Sequence, residues 1–142
     1  MKGDRKPDSW YRQSGVIAVR QKNGAPQVLL VTSAGGKRWV IPKGIVEENH
    51  SPASSAAKEA WEEAGVTGKV SRRMIGRYRY EKWNGVCTVL VYRLDVDEIH
   101  RAWPEAHVRK RKWLTPASAA ARVGNPALAQ IILDAFPGRV AK

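Results

Sequence analysis

One stretch constrains the chain more than any other: GIVEENHSPASSAAKEAWEEAGV, Gly44–Val66. Ser51-Pro52 is a helix start, with serine as N-cap and proline at the first helical position, where its missing N–H costs nothing. Gly65 is the matching stop, because glycine readily takes the left-handed conformation that ends helices. The pattern predicts a helix over Pro52–Ala64. At about 100° per residue with Glu59 at zero, Glu62 falls at about −60° and Glu63 at about +40°. Three carboxylates therefore share one face. Ala53, Ala57, Ala60 and Ala64 form a neighbouring stripe of small side chains that lets the helix approach a sheet closely. Like charges crowded on one face repel. A solvated acidic face and a face completed by a hard divalent cation, Mg²⁺ or Mn²⁺, both fit this helix taken alone.

The flanking chain favours the second reading. The run before the helix, KRWVIPKG, reads as a short strand ended by Pro42 and Gly44 and fed into a returning loop. A strand, a glycine turn and a carboxylate-bearing helix suit phosphate and metal, and Lys43 and Lys58 bring positive charge to both sides. Elsewhere, Ser14–Arg20 and Gln27–Ser33 read as strands around an Asn23-Gly24 turn. Two β-rich runs, GKVSRRMIGRYRYEKW and VCTVLVYRLDV, are joined by a hairpin signal at Asn84-Gly85, and HVRKRKWL is a further strand. Thr115-Pro116 and Asn125-Pro126 repeat the cap-then-proline start, and PALAQIILDAF is amphipathic. This order predicts an α/β (α+β) sandwich with a mixed sheet between helices, in one domain over residues 1–142, with residues 1–12 poorly ordered.

The 142 residues carry 25 Lys+Arg against 13 Asp+Glu, a formal charge of +12, which favours polyanionic partners. The basic residues are spread along the chain, apart from Val108–Trp113, so an enclosed polyanion site is as consistent as a long nucleic-acid track. The only cysteine is Cys87, which excludes an internal disulfide and a cysteine-based zinc cluster and suits a reducing cytoplasm. No apolar run approaches the roughly 20 residues of a membrane span. The polar start lacks a signal-peptide core, so a cytoplasmic protein without membrane attachment is expected.

The residues Gly44, Glu59, Glu62, Glu63, Gly65 and Val66 resemble the Nudix box, G-x5-E-x7-R-E-U-x-E-E-x-G-U with U a bulky apolar residue. Lys58 stands for the box arginine, Ala60 is a small version of the apolar position, and His50 occupies the place of the first glutamate. The likeness extends to RWVIPKG before the box and to the hairpin and RKRKWL after it. It implies a Nudix-type α/β/α sandwich and hydrolysis of a diphosphate linkage with Mg²⁺ or Mn²⁺. Glu59, Glu62, Glu63 and the Gly44 carbonyl are the implied metal ligands, Glu59 also serving water, and Lys58 holds a glutamate in place. Many family members bring in a late carboxylate, and Glu105 is preferred for it over Glu98.

Within the family the chain is most similar to hydrolases of diphosphoinositol polyphosphates and diadenosine polyphosphates. This implies a highly phosphorylated small-molecule substrate, with Arg12, Arg20, Ser33, Arg38, Lys43 and Lys110 as candidate phosphate contacts. An RNA 5′-end pyrophosphohydrolase would use the same helix and the basic surface, with Trp83 and Trp103 as base-stacking candidates. A weakly active binding module on the same scaffold is the reading His50 supports, since neutral imidazole suits Mg²⁺ poorly. Glu47 and Glu48, close before His50, are candidates to reach the site in its place.

Overall fold

The computed structural model describes residues 5–136. Eight strands form one mixed sheet: β1 Arg12–Lys22, β2 Ala25–Thr32, β3 Trp39–Val40, β4 Lys43–Ile45, β5 Val66–Val70, β6 Gly76–Lys82, β7 Gly85–Ile99 and β8 Arg111–Leu114. Three helices accompany them: α1 Pro52–Glu59, α2 Pro116–Arg122 and α3 Pro126–Asp134. The strand order is β3-β2-β1-β7-β5, with β4 on β1, β6 on β7 and β8 on β2. Among the described residues only β1 and β7 pair in parallel, so the sheet is mixed.

The predicted sandwich is present. Side chains alternate along β1, with Ile17 and Val19 packed under α2 and α3, and Val16 and Ala18 packed under α1. Burial on both faces explains the unbroken run of buried residues from Gln13 to Val19. Leu128, Ile132 and Phe136 close one face. Ala56, Ala60 and Ala64, all fully buried, close the other. The small stripe sets the helix directly on Val16, Ala18 and Leu29, but Ala56 takes the buried place expected of Ala57, which stays half-buried outside the cluster.

Several boundaries differ from the sequence expectation. Residues 1–4 of the segment expected to be poorly ordered lie outside the described residues. Asp8–Tyr11 instead forms a 3-10 turn, and Arg12 already pairs in the sheet. Tyr11 anchors it: the ring is buried, and its hydroxyl donates to Trp83 O at 2.6 Å. The β6–β7 hairpin turns on Trp83-Asn84, not Asn84-Gly85. Trp83 and Asn84 both have positive φ (54° and 55°), as a type I′ turn requires, and Lys82 pairs Gly85. Gly85 serves another need, because a Cβ there would lie 2.6 Å from the Tyr11 ring. The strand expected over residues 107–114 begins only at Arg111, since the chain is still turning through Val108 and Arg109, whose N–H groups both donate to Glu105 O. The helix from Pro52 is α-helical to Glu59 and finishes in a wider π turn, Ala60–Ala64, before Gly65 at φ 67°. No helix of the described residues is long and apolar enough to cross a membrane.

Candidate active site

The Ser51 hydroxyl accepts from Ser54 N at 3.1 Å and starts α1 as its sequence predicts. From there the helix runs back over β4, which carries Lys43 and Gly44. Gly44 lies under the Glu59 side chain. A Cβ at this position would fall on the Glu59 carboxylate, with Glu59 Oε1 at 2.8 Å, so any larger residue would force that carboxylate to move.

Glu59 and Glu63 converge. They are 9% and 6% exposed, and their carboxyl groups lie close enough for each to shift the other's pKa. Burial raises the pKa of both. Glu63 is pushed to about 8, with Arg109 opposing that rise and Glu59 adding to it. Two buried carboxyls this close disfavour each other's ionisation, and a nearby cation relieves that cost. Lys43 N donates to Glu63 Oε1 at 3.2 Å, and the Arg109 guanidinium lies 3.5 Å from Glu63 Oε2.

Glu62 departs from the expected single face. Among the described residues no three His, Cys, Asp or Glu side chains gather as a metal cluster. Glu62 instead turns to Lys58, one helical turn back, at 2.6 Å. Lys58 also holds Glu47 at 3.0 Å, and these bonds, Glu62 first, raise its pKa. His50 does not join this group. Its exposed ring meets Ser54 Oγ at 3.1 Å, at the opening turn of α1. The carboxylate that meets Lys58 comes from Glu47, three residues before His50; Glu48 makes no ion pair among the described residues.

The donor set fits a divalent cation. It offers two buried carboxylates close together, the backbone of a glycine pressed against one of them, and a third carboxylate, Glu62, paired with Lys58 one turn back. Ser14 sits directly across β1–β4 from Gly44. Its fully buried hydroxyl has no hydrogen-bond partner among the described residues. A buried hydroxyl left without a partner is unusual and calls for an explanation at this position.

Beside the pair opens a cavity of about 570 Å³. Lys37, Arg38, Lys43, Lys82 and Arg109 line it, against Glu63 and Glu81. Of the six phosphate-contact candidates, Ser33, Arg38 and Lys43 line this cavity and Arg12, Arg20 and Lys110 do not. The alternation of β1 explains the first two, because Gln13 is the strand residue turned to the cavity and its even-numbered neighbours face the other side. Arg20 stacks on Trp113, 4.3 Å from the ring centre, and bonds Gln27 at 2.9 Å. Lys110 is spent on its backbone, which pairs with Thr32, and its side chain is exposed.

Sequence reasoning did not single out Gln13, Tyr80 or Arg109. Lys43 Nζ lies 3.1 Å from Tyr80 OH and 4.5 Å over its ring, and Tyr80 OH donates to Gln13 Oε1 at 2.8 Å. Burial lowers the Lys43 pKa to about 8. Arg109 Nε bonds Glu105 at 2.7 Å while the same guanidinium reaches Glu63, so Glu105 stands one side chain from the pair. Glu98 lies in β7, opposite Thr67. Trp83 lines the cavity, whereas Trp103 does not and has one ring face covered by Arg111 at 4.0 Å. Cys87 is fully buried in β7.

The NUDIX domain family model matches residues 11–135. Nudix hydrolase 16, mitochondrial, of Arabidopsis thaliana is 33% identical over 118 residues, covering 78% of this chain and 65% of that protein. Diphosphoinositol polyphosphate phosphohydrolase 2 of Rattus norvegicus is 39% identical over 108 residues, covering 75% and 59%. The chain thus spans less than two thirds of the length of either relative. In fold it is similar to the crystal structure of a C. elegans Ap4A hydrolase, at a TM-score of 0.69 and 20% identity over 88% of this chain and 96% of that one. The match runs from Tyr11 to Ala135, through both faces of the sheet and the helix that brings Glu59 against Gly44, and the chain belongs to the Nudix hydrolase family.

Proposed function

We propose that this chain is a divalent-metal-dependent pyrophosphohydrolase that cleaves a diphosphate linkage in a highly phosphorylated small molecule, either a diphosphoinositol polyphosphate or a dinucleoside polyphosphate. The observation that carries this reading is the buried Glu59–Glu63 pair beside a cavity lined by five cationic side chains. Glu59, Glu63 and the Gly44 carbonyl would hold Mg²⁺ or Mn²⁺, with Glu62 reached through its Lys58 bond. The bound ion supplies charge neutralisation at phosphorus and a lowered pKa for water. Glu59 is assigned to orient water and take its proton. Lys58, fixed between Glu47 and Glu62, keeps the helix carboxylates in place. Lys43, Arg38 and Arg109 neutralise the phosphates not being cleaved. Names of relatives and neighbours supply both substrate classes: diphosphoinositol polyphosphate for one, Ap4A for the other. A reducing compartment such as the cytoplasm suits the free Cys87 thiol.

A second reading, RNA 5′-end pyrophosphohydrolase, has one specific observation in its favour. Arg12, Thr88 and Arg79 stand in one cross-strand row, with Arg77 two residues from Arg79 on the same face. All three arginines are exposed and make no ion pair among the described residues, leaving a basic strip of sheet.

The test is one substrate panel with Mg²⁺ and with Mn²⁺: a diphosphoinositol polyphosphate, a diadenosine polyphosphate, a nucleoside triphosphate, ADP-ribose and 5′-triphosphate RNA. Turnover on either of the first two, lost by about 10²-fold or more in Glu63→Gln with the fold intact, is the expected result. Turnover on RNA alone selects the second reading, tight binding without turnover points to a binding module, and an unchanged rate in Glu63→Gln sinks the site assignment.

A further inference from the structure

Every α-helix ends with four carbonyls that have no partner inside it. At the end of the glutamate helix these are the carbonyls of Glu62, Glu63, Ala64 and Gly65. All four are bound by one segment, residues 100–111. Glu105 N donates to Glu62 O at 3.0 Å, and Trp103 Nε1 to Glu63 O at 3.0 Å. Arg111 donates to Ala64 O at 2.8 Å, and His100 N to Gly65 O at 2.8 Å.

The two side-chain donors are themselves locked together. The Arg111 guanidinium lies 4.0 Å over the Trp103 ring and donates to His100 O at 2.7 Å. A Cβ at Gly65 would meet both at 2.8 Å, so the left-handed glycine that stops the helix also admits the clamp. The same segment supplies Arg109, which faces the Glu63 carboxylate. Glu63 is thus held by its main chain through Trp103 and by its side chain through Arg109. A cation on the last carbonyls also favours the negative end of the helix dipole.

We propose that Trp103 and Arg111 are positioning residues of the metal site, fixing the π turn so that Glu63 stays against Glu59. Neither touches the reacting atoms. The proposal rests on the metal-binding reading of Glu59 and Glu63. A partner that orients a ligand from outside changes metal affinity by roughly 10–100-fold when it is removed.

The experiment is a Mn²⁺ titration of the purified chain, reading free Mn²⁺ by its EPR signal, with circular dichroism to confirm folding. Trp103→Phe removes one N–H and keeps a ring under Arg111, and Arg111→Met removes the fork. Each is expected to weaken Mn²⁺ binding about 10-fold or more, with Arg111→Lys recovering part of the loss. Lys112→Met, the same loss of charge on the exposed neighbour, should bind as wild type does. A purely structural role would lower the melting temperature and leave the affinity of the folded protein unchanged. Should Arg111→Met not fold, Trp103→Phe decides. Folded Trp103→Phe binding Mn²⁺ within about 2-fold of wild type overturns the positioning role and leaves the metal reading standing. Wild type binding Mn²⁺ no better than a Glu59→Gln/Glu63→Gln double variant overturns the metal reading, and the positioning role with it.

Discussion

Gly44→Ala tests the site at its tightest point. Gly44 is not among the residues with positive φ, so alanine costs it no backbone strain and the effect is purely one of space. The new methyl would collide with the Glu59 carboxyl group, whose Oε1 lies 2.8 Å from the ideal Cβ position, and ordinary contact needs 3.4 Å or more. Glu59 is 9% exposed and sits beside Glu63, so it cannot swing into water without leaving the site. Overpacking of this kind costs about 1–3 kcal/mol. For a chain of this size that lowers the melting temperature by roughly 3–9 °C, which a folded protein tolerates. The effect on rate should be larger, because a shift of about 1 Å in a catalytic group can cost about 10²-fold. Steady-state kinetics on the substrate identified by the panel, with Mg²⁺ saturating, should show kcat down by about that factor and KM little changed. A melting temperature and kcat both equal to wild type would refute the claim that Gly44 exists to admit Glu59.

Two further predictions follow from the same site. Glu47→Gln should loosen Lys58 and Glu62 and lower kcat by about 10-fold, whereas His50→Ala should leave it within about 2-fold, both read from initial rates. In metal-free protein, Glu63 keeps its proton when folded up to about pH 8 and releases it near the ordinary carboxylate value when unfolded. That contribution to stability is full at low pH and lost as pH rises towards 8. Lys43, lowered to about 8, contributes the opposite way: its stability is present above its ordinary value of 10.5 and lost as pH falls through 8. Thermal melts in EDTA should therefore pass through a minimum near pH 8 that saturating Mg²⁺ fills, and a stability that rises steadily from pH 5 to 8 in EDTA would contradict the burial of Glu63.

What could be read from the sequence, and what could not, divides along physical lines. Helix starts were legible because Ser51, Thr115 and Asn125 cap with their own side chains, each accepting from the N–H three residues on. The sandwich was legible because small residues on α1 and alternating apolar residues on the strands each encode a packed face. The cationic lining was legible only by half. Arg38 and Lys43 precede the box directly, while Arg12 and Arg20 differ from Gln13 only in the parity of a strand, which depends on register. Tyr80 and Gln13 reach Lys43 through tertiary pairing of β6, β7 and β1, for which one sequence carries no local signal. Arg109 lay inside a basic run that looked uniform, and only the turn at Pro104–Val108 selects it to face Glu63.

His50 shows how a motif can fail at a position and hold in space. Counted along the chain, a box glutamate is missing, and the helix should carry one charge too few to orient Lys58. Counted in space, Lys58 has two carboxylates, because the loop from Gly44 lets Glu47 reach back across the helix. Ser55 fixes that loop. Its hydroxyl donates to Ile45 O and accepts from Glu47 N, both at 3.3 Å, so Glu47 is delivered by a hydrogen-bonded turn. The imidazole meanwhile sits on the exposed start of α1, against the Ser54 hydroxyl. On this geometry restoring glutamate at His50 adds a competitor for Lys58, not a missing ligand. His50→Glu should therefore leave Mg²⁺-dependent turnover near wild type, and should raise it only in a Glu47→Gln background.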